Sequence, residues 1–390
     1  MLLEMLNATY ILGIETSCDE TAAAVVRSGE QVVSNVVASQ IATHWPYGGV
    51  VPELASREHL RAIVPVVRRA LEEADQTYES VDAVAVTQGP GLAGALLVGV
   101  SYAKALAFAL DKPLIAVNHL EGHIHAVLLE EKQRGNREIG FPVLALVVSG
   151  GHTHLYLAEQ QERGWIYENT GQTRDDAAGE AFDKVAKLLA LGYPGGPIID
   201  KLARHGNPHV VKFPPAHIKG RPRPGRSRRR AGADHPAATF DFSYSGIKTA
   251  VLRYTETHNM QPTIEQRRRA LAEMKSPKAD DVLRLCDRET LDLVASFQRA
   301  MVADLVGKTL NAARELDAAT LFITGGVAAN SELRAAFERE AVRAGLPVYF
   351  PSRPVSTDNA AMIAAAAYPK FLAGDFAGLE FSAEASLPLR

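Results

Sequence analysis

Two histidines four residues apart, His119 and His123, stand in Asn118-His-Leu-Glu-Gly-His-Ile-His-Ala126. On a helix, residues at i and i+4 stack on one face, so both imidazoles can reach a single metal ion. A pair of solvated or core histidines is the plain alternative. A zinc-protease helix needs HExxH, with the general-base glutamate directly after the first histidine. Residue 120 is leucine, and Glu121 falls roughly 200° around the helix from His119, which removes the protease geometry.

Glycine-rich turns form a second set. Val147-Val-Ser-Gly-Gly151 follows an apolar run, with glycines where a backbone could approach a bound group; an ordinary hairpin gives the same pattern. Gly325-Gly326 precedes a helix reading at Ser331–Arg343, and helix N-termini of this kind accept phosphate or nucleoside groups. The chain has neither a GxxxxGK[ST] loop nor a GxGxxG fingerprint. A third set is acidic: Asp19 and Glu20 in the first turn, Asp183 in Gly179-Glu-Ala-Phe-Asp-Lys184, Asp200, and Asp358 before the small-residue helix Ala360–Tyr368. From position alone, Asp358 reads as that helix's N-cap.

The elements that must carry these residues show a weak duplication. Tyr10–Val26 reads as strand, polar turn, strand, and so does Val143–Leu157. Val84–Gly91 and Leu321–Asn330 each read as a strand entering a helix through glycine. The same two units in the same order predict two related α/β lobes facing one another. Between them, Glu53–Ala74 puts Leu54, Leu60, Ile63, Val64, Val67 and Leu71 on one helical stripe. Gly94–Leu110 is apolar nearly all round, which predicts burial or a subunit interface. Asp176–Ala190 reads as a helix ended by Leu191-Gly-Tyr-Pro-Gly-Gly-Pro197, whose Gly/Pro cluster leaves backbone N–H groups free for a ligand.

Composition narrows the class. With 47% hydrophobic and 22% charged residues, the 390-residue chain falls among folded multi-lobe proteins rather than disordered or fibrous ones. Two cysteines without CxxC spacing exclude a disulfide framework and a thiolate zinc site, and predict a reducing, cytoplasmic home. Met1–Tyr10 has no basic n-region and does not read as a signal peptide. Gly94–Leu110 is interrupted by Lys104 and short for a bilayer, so no membrane association is expected. The net charge of −3 hides a local excess: Lys219–Arg230 holds seven Lys/Arg and no acid.

Taken in order, Gly13-Ile-Glu-Thr-Ser-Cys-Asp-Glu-Thr21, Pro52-Glu-Leu-Ala-Ser-Arg-Glu-His59, Asn118–His123, Val148-Ser-Gly-Gly-His-Thr153, Asp175–Lys184, Tyr193-Pro-Gly-Gly-Pro197, Asp241-Phe-Ser-Tyr-Ser-Gly-Ile-Lys-Thr249 and Gly325-Gly-Val-Ala-Ala-Asn330 resemble one family. It is the tRNA N6-adenosine threonylcarbamoyltransferase family in its bacterial form, once mislabelled a sialoglycoprotein endopeptidase. The resemblance runs from about Ile11 to Tyr368.

The resemblance implies the actin-like, sugar-kinase and Hsp70-type α/β (ASKHA) fold, with substrate in an interlobe cleft. Lobe I is expected over 10–125, completed by C-terminal helices at about 360–390; lobe II over 126–358, with a basic Pro/Arg-rich loop at 214–236. It also implies one Fe(II) per subunit, or zinc, on His119, His123 and Asp358. Archaeal relatives add a tyrosine where this chain has Val147, so three protein ligands are expected. The implied donor is threonylcarbamoyl-adenylate, held by Val147, Val148, Ser149, Gly150, Gly151, Asp183, Gly196, Asp200 and Asn330. The implied acceptor is N6 of the adenosine beside the anticodon in tRNAs reading codons that begin with A.

An aromatic amine is a poor nucleophile, so a nearby proton acceptor helps, and Asp19 or Glu20 is the candidate. The target base lies in a single-stranded loop, which lowers the cost of flipping it. The implied partners are a catalytically silent paralogue, docking on the Glu53–Ala74 and Gly94–Leu110 helices, and a small ATPase; a homodimer through the same surface competes. The Pro214–Asp241 stretch departs from the family pattern, as a phosphate-contacting arm or as a solvated loop. Competing functions are a metalloprotease, a kinase or ATPase of the same fold class, and a binding-only paralogue, which would lack the histidines.

Overall fold

A computed structural model describes residues 8–161, 164–213, 240–274 and 277–390; the basic loop expected at 214–236 lies outside them. The chain divides into two compact units, the first comprising Met1–Phe141, Ala158–Glu168 and Tyr349–Arg390, the second Pro142–Leu157 and Asn169–Val348.

The first unit opens with β1 (Tyr10–Glu15), β2 (Glu20–Arg27) and β3 (Gln31–Ser39), an antiparallel meander. Helix α1 (Pro52–Glu73) leads to β4 (Ala83–Gly89), α2 (Ala93–Leu110), β5 (Leu114–Asn118) and α3 (His119–Gln133). Strands β4 and β5 add in parallel to β1, giving the order β3-β2-β1-β4-β5. Apart from the edge strand β3, the strands are apolar on both faces because both faces are covered. Leu12, Ile14, Ala23, Val25, Val84 and Val86 pack with Ile63, Val66, Val67 and Ala70 of α1 and Val100, Ala103 and Ala107 of α2.

The stripe expected on α1 is partly corrected. Its buried positions are Ala55, His59, Ile63, Val66, Val67, Ala70 and Leu71, while Leu60 and Val64 are 66% and 42% exposed. The helix is apolar on two sides, and the periodicity merged them. Helix α2 behaves similarly: one face packs, while Leu97 and Phe108 are exposed. By length and composition alone α2 could cross a membrane, but the packed face places it in the helix layer of this unit.

The second sheet begins with β6 (Val143–Val148), β7 (Thr153–Gln161) and β8 (Gly164–Gln172), of which Ala158–Glu168 falls in the first unit; α4 (Ala178–Leu188) and α5 (Gly195–Ala203) follow in the second unit. Helices α6 (Ser245–Thr257), α7 (Gln261–Ala272), α8 (Ala279–Arg284) and the long α9 (Arg288–Glu315) precede β9 (Thr320–Thr324), α10 (Ser331–Ala344) and β10 (Val348–Tyr349). The sheet order is β10-β9-β6-β7-β8, with β6 and β9 parallel. Read from its other edge, this is the order of the first sheet. The duplication visible in the sequence is therefore a duplication of topology.

Helix α4 ends in a buried polar clasp. The Arg267 side chain, 1% exposed, donates to the carbonyls of Leu189 (2.5 Å) and Leu285 (3.4 Å) and to Thr290 Oγ1 (2.9 Å). Both carbonyls close helices, where a cation is favoured by the helix dipole. Arg267→Ala is expected to destabilise the protein by roughly 3 kcal/mol, through unsatisfied carbonyls and a cavity, as a fall in the urea midpoint.

The chain returns to the first unit with α11 (Ala360–Ala373). Ala360–Ala367 is buried throughout, packed with Ile11, Ala22, Ala24, Val26, Ala83, Ala85, Ile115, Val117 and the α3 residues Ala126 and Leu129. Small residues allow this close approach: a Cβ at Gly122 of α3 would stand 2.8 Å from Ile363 Cδ1. Helix α3 runs unbroken past residue 125, where the sequence places the lobe boundary, to Gln133.

Candidate functional site

Packing α3 against α11 brings their first turns together. At the end of β5 the Asn118 side chain accepts a hydrogen bond from Leu120 N (2.9 Å), so His119 is the first residue of α3. At α11 the cap is Asn359, which accepts from Met362 N at 3.1 Å. The N-cap reading of Asp358 is thereby corrected, because its neighbour satisfies the helix donors. The Asp358 carboxylate instead meets both imidazoles, with Oδ1 3.2 Å from His123 Nε2 and 3.6 Å from His119 Nε2. The two rings lie edge to face, 4.7 Å apart between centroids. One donor atom from each of the three residues falls within 4.8 Å of the others.

Behind His119 stands Glu15, a fully buried carboxylate at the end of β1. Its Oε2 accepts from His119 Nδ1 (3.0 Å) and Thr87 Oγ1 (2.7 Å), and its Oε1 from Ser17 N (2.5 Å). Nδ1 is thereby committed to Glu15, which leaves Nε2, the nitrogen turned toward Asp358, as the one that could ligate an ion. Burial disfavours a His119 cation, yet Asp358 and Glu15 outweigh it and hold the ring's pKa up at about 9. For His123 burial wins and the pKa falls. A pocket with two carboxylates that favours positive charge, presenting two imidazole nitrogens and a carboxylate oxygen, fits a divalent transition metal. Two histidines and one carboxylate with open positions suit Fe(II) or zinc.

Glutamine at position 15 could satisfy His119 and Thr87 only by turning its NH2 toward the Ser17 N–H, a donor against a donor. Glu15→Gln is therefore expected to weaken metal binding about 10–100-fold, measured by chelator competition with the purified protein.

Asp19 lies in the turn between β1 and β2, and Glu20 is the first residue of β2. Burial pushes the Glu20 carboxyl well above the ordinary range, and the nearby charges of Asp19, Asp358 and Glu15 push the same way. The structure thus places this turn in the electrostatic field of Asp358. Glu121 belongs elsewhere: it is buried and 3.6 Å from Lys370 Nζ. It is held as a structural acid rather than presented as a base.

The nine residues expected to hold the donor all belong to the second unit. Val147 and Val148 are fully buried in β6, so their side chains serve the core. The turn beyond them is open, with no atom within 4 Å of a Cβ built at Gly150 or Gly151, and the same holds at Gly196 in the first turn of α5. Asp183 Oδ1 accepts from Gly195 N at 2.7 Å, pinning the start of α5. Asp200 Oδ1 accepts from Ser331 Oγ (2.7 Å) and N (3.2 Å), and its Oδ2 from Arg204. Asn330 caps α10 by accepting from Leu333 N, and donates to Gln298 Oε1 at 2.9 Å. Gln298 in turn reaches Asp200, so one network joins Asp200 and Asn330.

The Gly325-Gly326 pair does not open the helix as its sequence suggests, since a 3-10 turn over Gly326–Ala329 intervenes. Gly325 has φ +94°, and a Cβ there would collide with the Val148 carbonyl. Its glycine is required by that close approach.

Glu15, Ser17 and Thr87 were not singled out from the sequence. The available signal was a charged residue ending the otherwise apolar strand Tyr-Ile-Leu-Gly-Ile-Glu, since a buried carboxylate must find donors.

The sequence profile of the tRNA N6-adenosine threonylcarbamoyltransferase family matches residues 31–365. A tRNA N6-adenosine threonylcarbamoyltransferase of Koribacter versatilis is 71% identical over 380 residues, 97% of this chain and 99% of that protein. The protein of the same name from Moorella thermoacetica is 48% identical over 389 residues, covering 100% of both. Among solved structures, full-length HypF in its phosphate- and nucleotide-bound form aligns with a TM-score of 0.52 at 12% identity, covering 93% of this chain and 55% of that one. That likeness speaks to the fold alone.

Proposed function

Since the chain belongs to the tRNA N6-adenosine threonylcarbamoyltransferase family, we propose how its residues divide the work of the transfer. The fold is of the actin-like, sugar-kinase type, and the protein is a transferase that modifies tRNA. Neither a metalloprotease nor a kinase is favoured by these relatives.

The reaction moves the threonylcarbamoyl group of threonylcarbamoyl-adenylate to N6 of the adenosine beside the anticodon. N6 attacks the carbamoyl carbon, the bond from that carbon to the phosphate oxygen breaks, and AMP leaves with the electron pair. His119, His123 and Asp358 would hold one iron ion, with zinc as the alternative; when bound, the ion supplies Lewis-acid polarisation and charge stabilisation. Glu15 keeps His119 in the ligating tautomer. The Asp19–Glu20 pair takes the proton that N6 loses, and the raised affinity of Glu20 for a proton supports that role. In the second unit, the Gly150–Gly151 turn offers backbone N–H groups to the donor's phosphate, the Asp183 and Asp200 carboxylates suit ribose hydroxyls, and Asn330, joined to Asp200 through Gln298, suits the adenosine portion.

The exposed apolar positions of α1 and α2, Leu60, Val64, Leu97 and Phe108, support a docking surface for a catalytically silent paralogue or a second copy of this chain. The small ATPase rests on the family resemblance. Two free thiols, Cys18 and Cys286, agree with a cytoplasmic setting.

The observation that carries this reading is the convergence of Asp358 on the His119–His123 pair with Glu15 behind it. The test combines the protein and its partners with threonylcarbamoyl-adenylate and unmodified tRNA, followed by mass spectrometry of the digested nucleosides. Threonylcarbamoyladenosine is expected with the wild-type chain and not with His119→Ala. Equal product with both would reject the assignment of the site.

A further inference from the structure

We propose that His59 is a positioning residue for the transfer: from α1 it clasps both ends of the Cys18–Thr21 turn and fixes where the Asp19 and Glu20 carboxylates stand. The inference rests on the reading of that pair as the proton acceptor.

His59 ends the Pro52–His59 motif, to which nothing above gives a task, and it is fully buried. Its Nε2 lies 3.0 Å from the Cys18 carbonyl oxygen and its Nδ1 2.8 Å from Thr21 Oγ1. A carbonyl oxygen can only accept, so Nε2 carries the hydrogen. A neutral ring then offers Nδ1 as an acceptor for the Thr21 hydroxyl. One imidazole in one tautomer therefore bridges the residue before Asp19 and the residue after Glu20. Both nitrogens are committed, so the ring is a clasp rather than a ligand or a base.

The rest of the turn is tied as firmly. Gln40 N donates to the Asp19 carbonyl at 3.0 Å. Gln40 is itself held by His44 (Nε2 to Oε1, 3.1 Å), and His44 Nδ1 accepts from Val51 N at 3.2 Å. Glu20 pairs with Ser39 across the β2–β3 ladder. Of these ties, the His59 ring alone spans the two acids, and its loss would remove the donor to the half-buried Cys18 carbonyl. The two carboxylates must be held against each other and against Asp358, whose charges all disfavour ionisation of Glu20. A turn free to relax would let them swing apart.

The experiment uses the full chain with its partners at saturating donor, and reads kcat, the KM for tRNA, bound metal and melting temperature for His59→Leu, His59→Gln and Thr21→Val. His59→Leu is expected to lower kcat about 100-fold, the scale of an ångström-sized misplacement, with KM and metal content unchanged. Glutamine places a donor and an acceptor at similar reach, so His59→Gln should recover most of kcat. Thr21→Val, nearly isosteric, removes the Nδ1 bond alone and should lower kcat without lowering KM, even if His59→Leu fails to fold. Wild-type kcat in His59→Leu or Thr21→Val, or a loss confined to metal content or melting temperature that glutamine does not restore, would overturn the inference. Asp19→Asn and Glu20→Gln separate the two levels. If they keep full turnover, the acceptor reading fails; if they lose it while His59→Leu does not, only the clasp fails.

Discussion

Asp358→Ala is expected to lower threonylcarbamoyl transfer by about 1,000-fold, the equivalent of several kcal/mol of lost charge stabilisation. Bound metal should fall with it. The fold should survive, because Asn359 supplies the α11 cap and the small-residue packing of Ala360–Ala367 lies beyond Asp358. The substitution removes one of the two carboxylates that hold His119 up at about 9, so the His119 pKa should drop as well. Elemental analysis, a melting curve and the transfer assay on one preparation check the ion, the fold and the turnover. A variant that keeps its ion and its turnover would show that the carboxylate is a bystander.

Replacing the turn acids should have the second-largest effect. General-base contributions are typically about 100–10,000-fold, and Glu20→Gln is expected to fall in that range at neutral pH. The sign with pH follows from the raised proton affinity of Glu20. A base must be ionised to act, so wild-type kcat/KM should be lost as pH falls through a value above the ordinary carboxylate range. In Glu20→Gln that acid limb should vanish and leave a low plateau. A limb that persists unchanged would assign the titration to another group.

Much of this architecture was legible before any coordinates. The paired strand–turn–strand and strand–Gly–helix units emerge as two sheets of equivalent strand order, because short punctuated apolar strands declare both their length and their connections. The i, i+4 spacing of His119 and His123 places both rings on one helix face, since helix geometry alone dictates it. What local pattern could not give was long-range. Asp358 looked like a cap because nothing near it in sequence says that Asn359 takes that task and frees it. Glu15 was hidden because its donors, His119 and Thr87, come from other elements. The α1 stripe was misphased because an outward apolar face and an inward one have the same period, and only burial separates Leu60 from Ile63.

The central claim, that His119, His123 and Asp358 hold the ion used in transfer, is met most directly by X-ray absorption on the purified chain, alongside its metal content. The account expects one ion per chain, with two imidazole nitrogens and oxygen ligands at about 2.0–2.2 Å and no sulfur. A shell containing sulfur or a single imidazole, or an ion retained in full by His123→Ala, would contradict it.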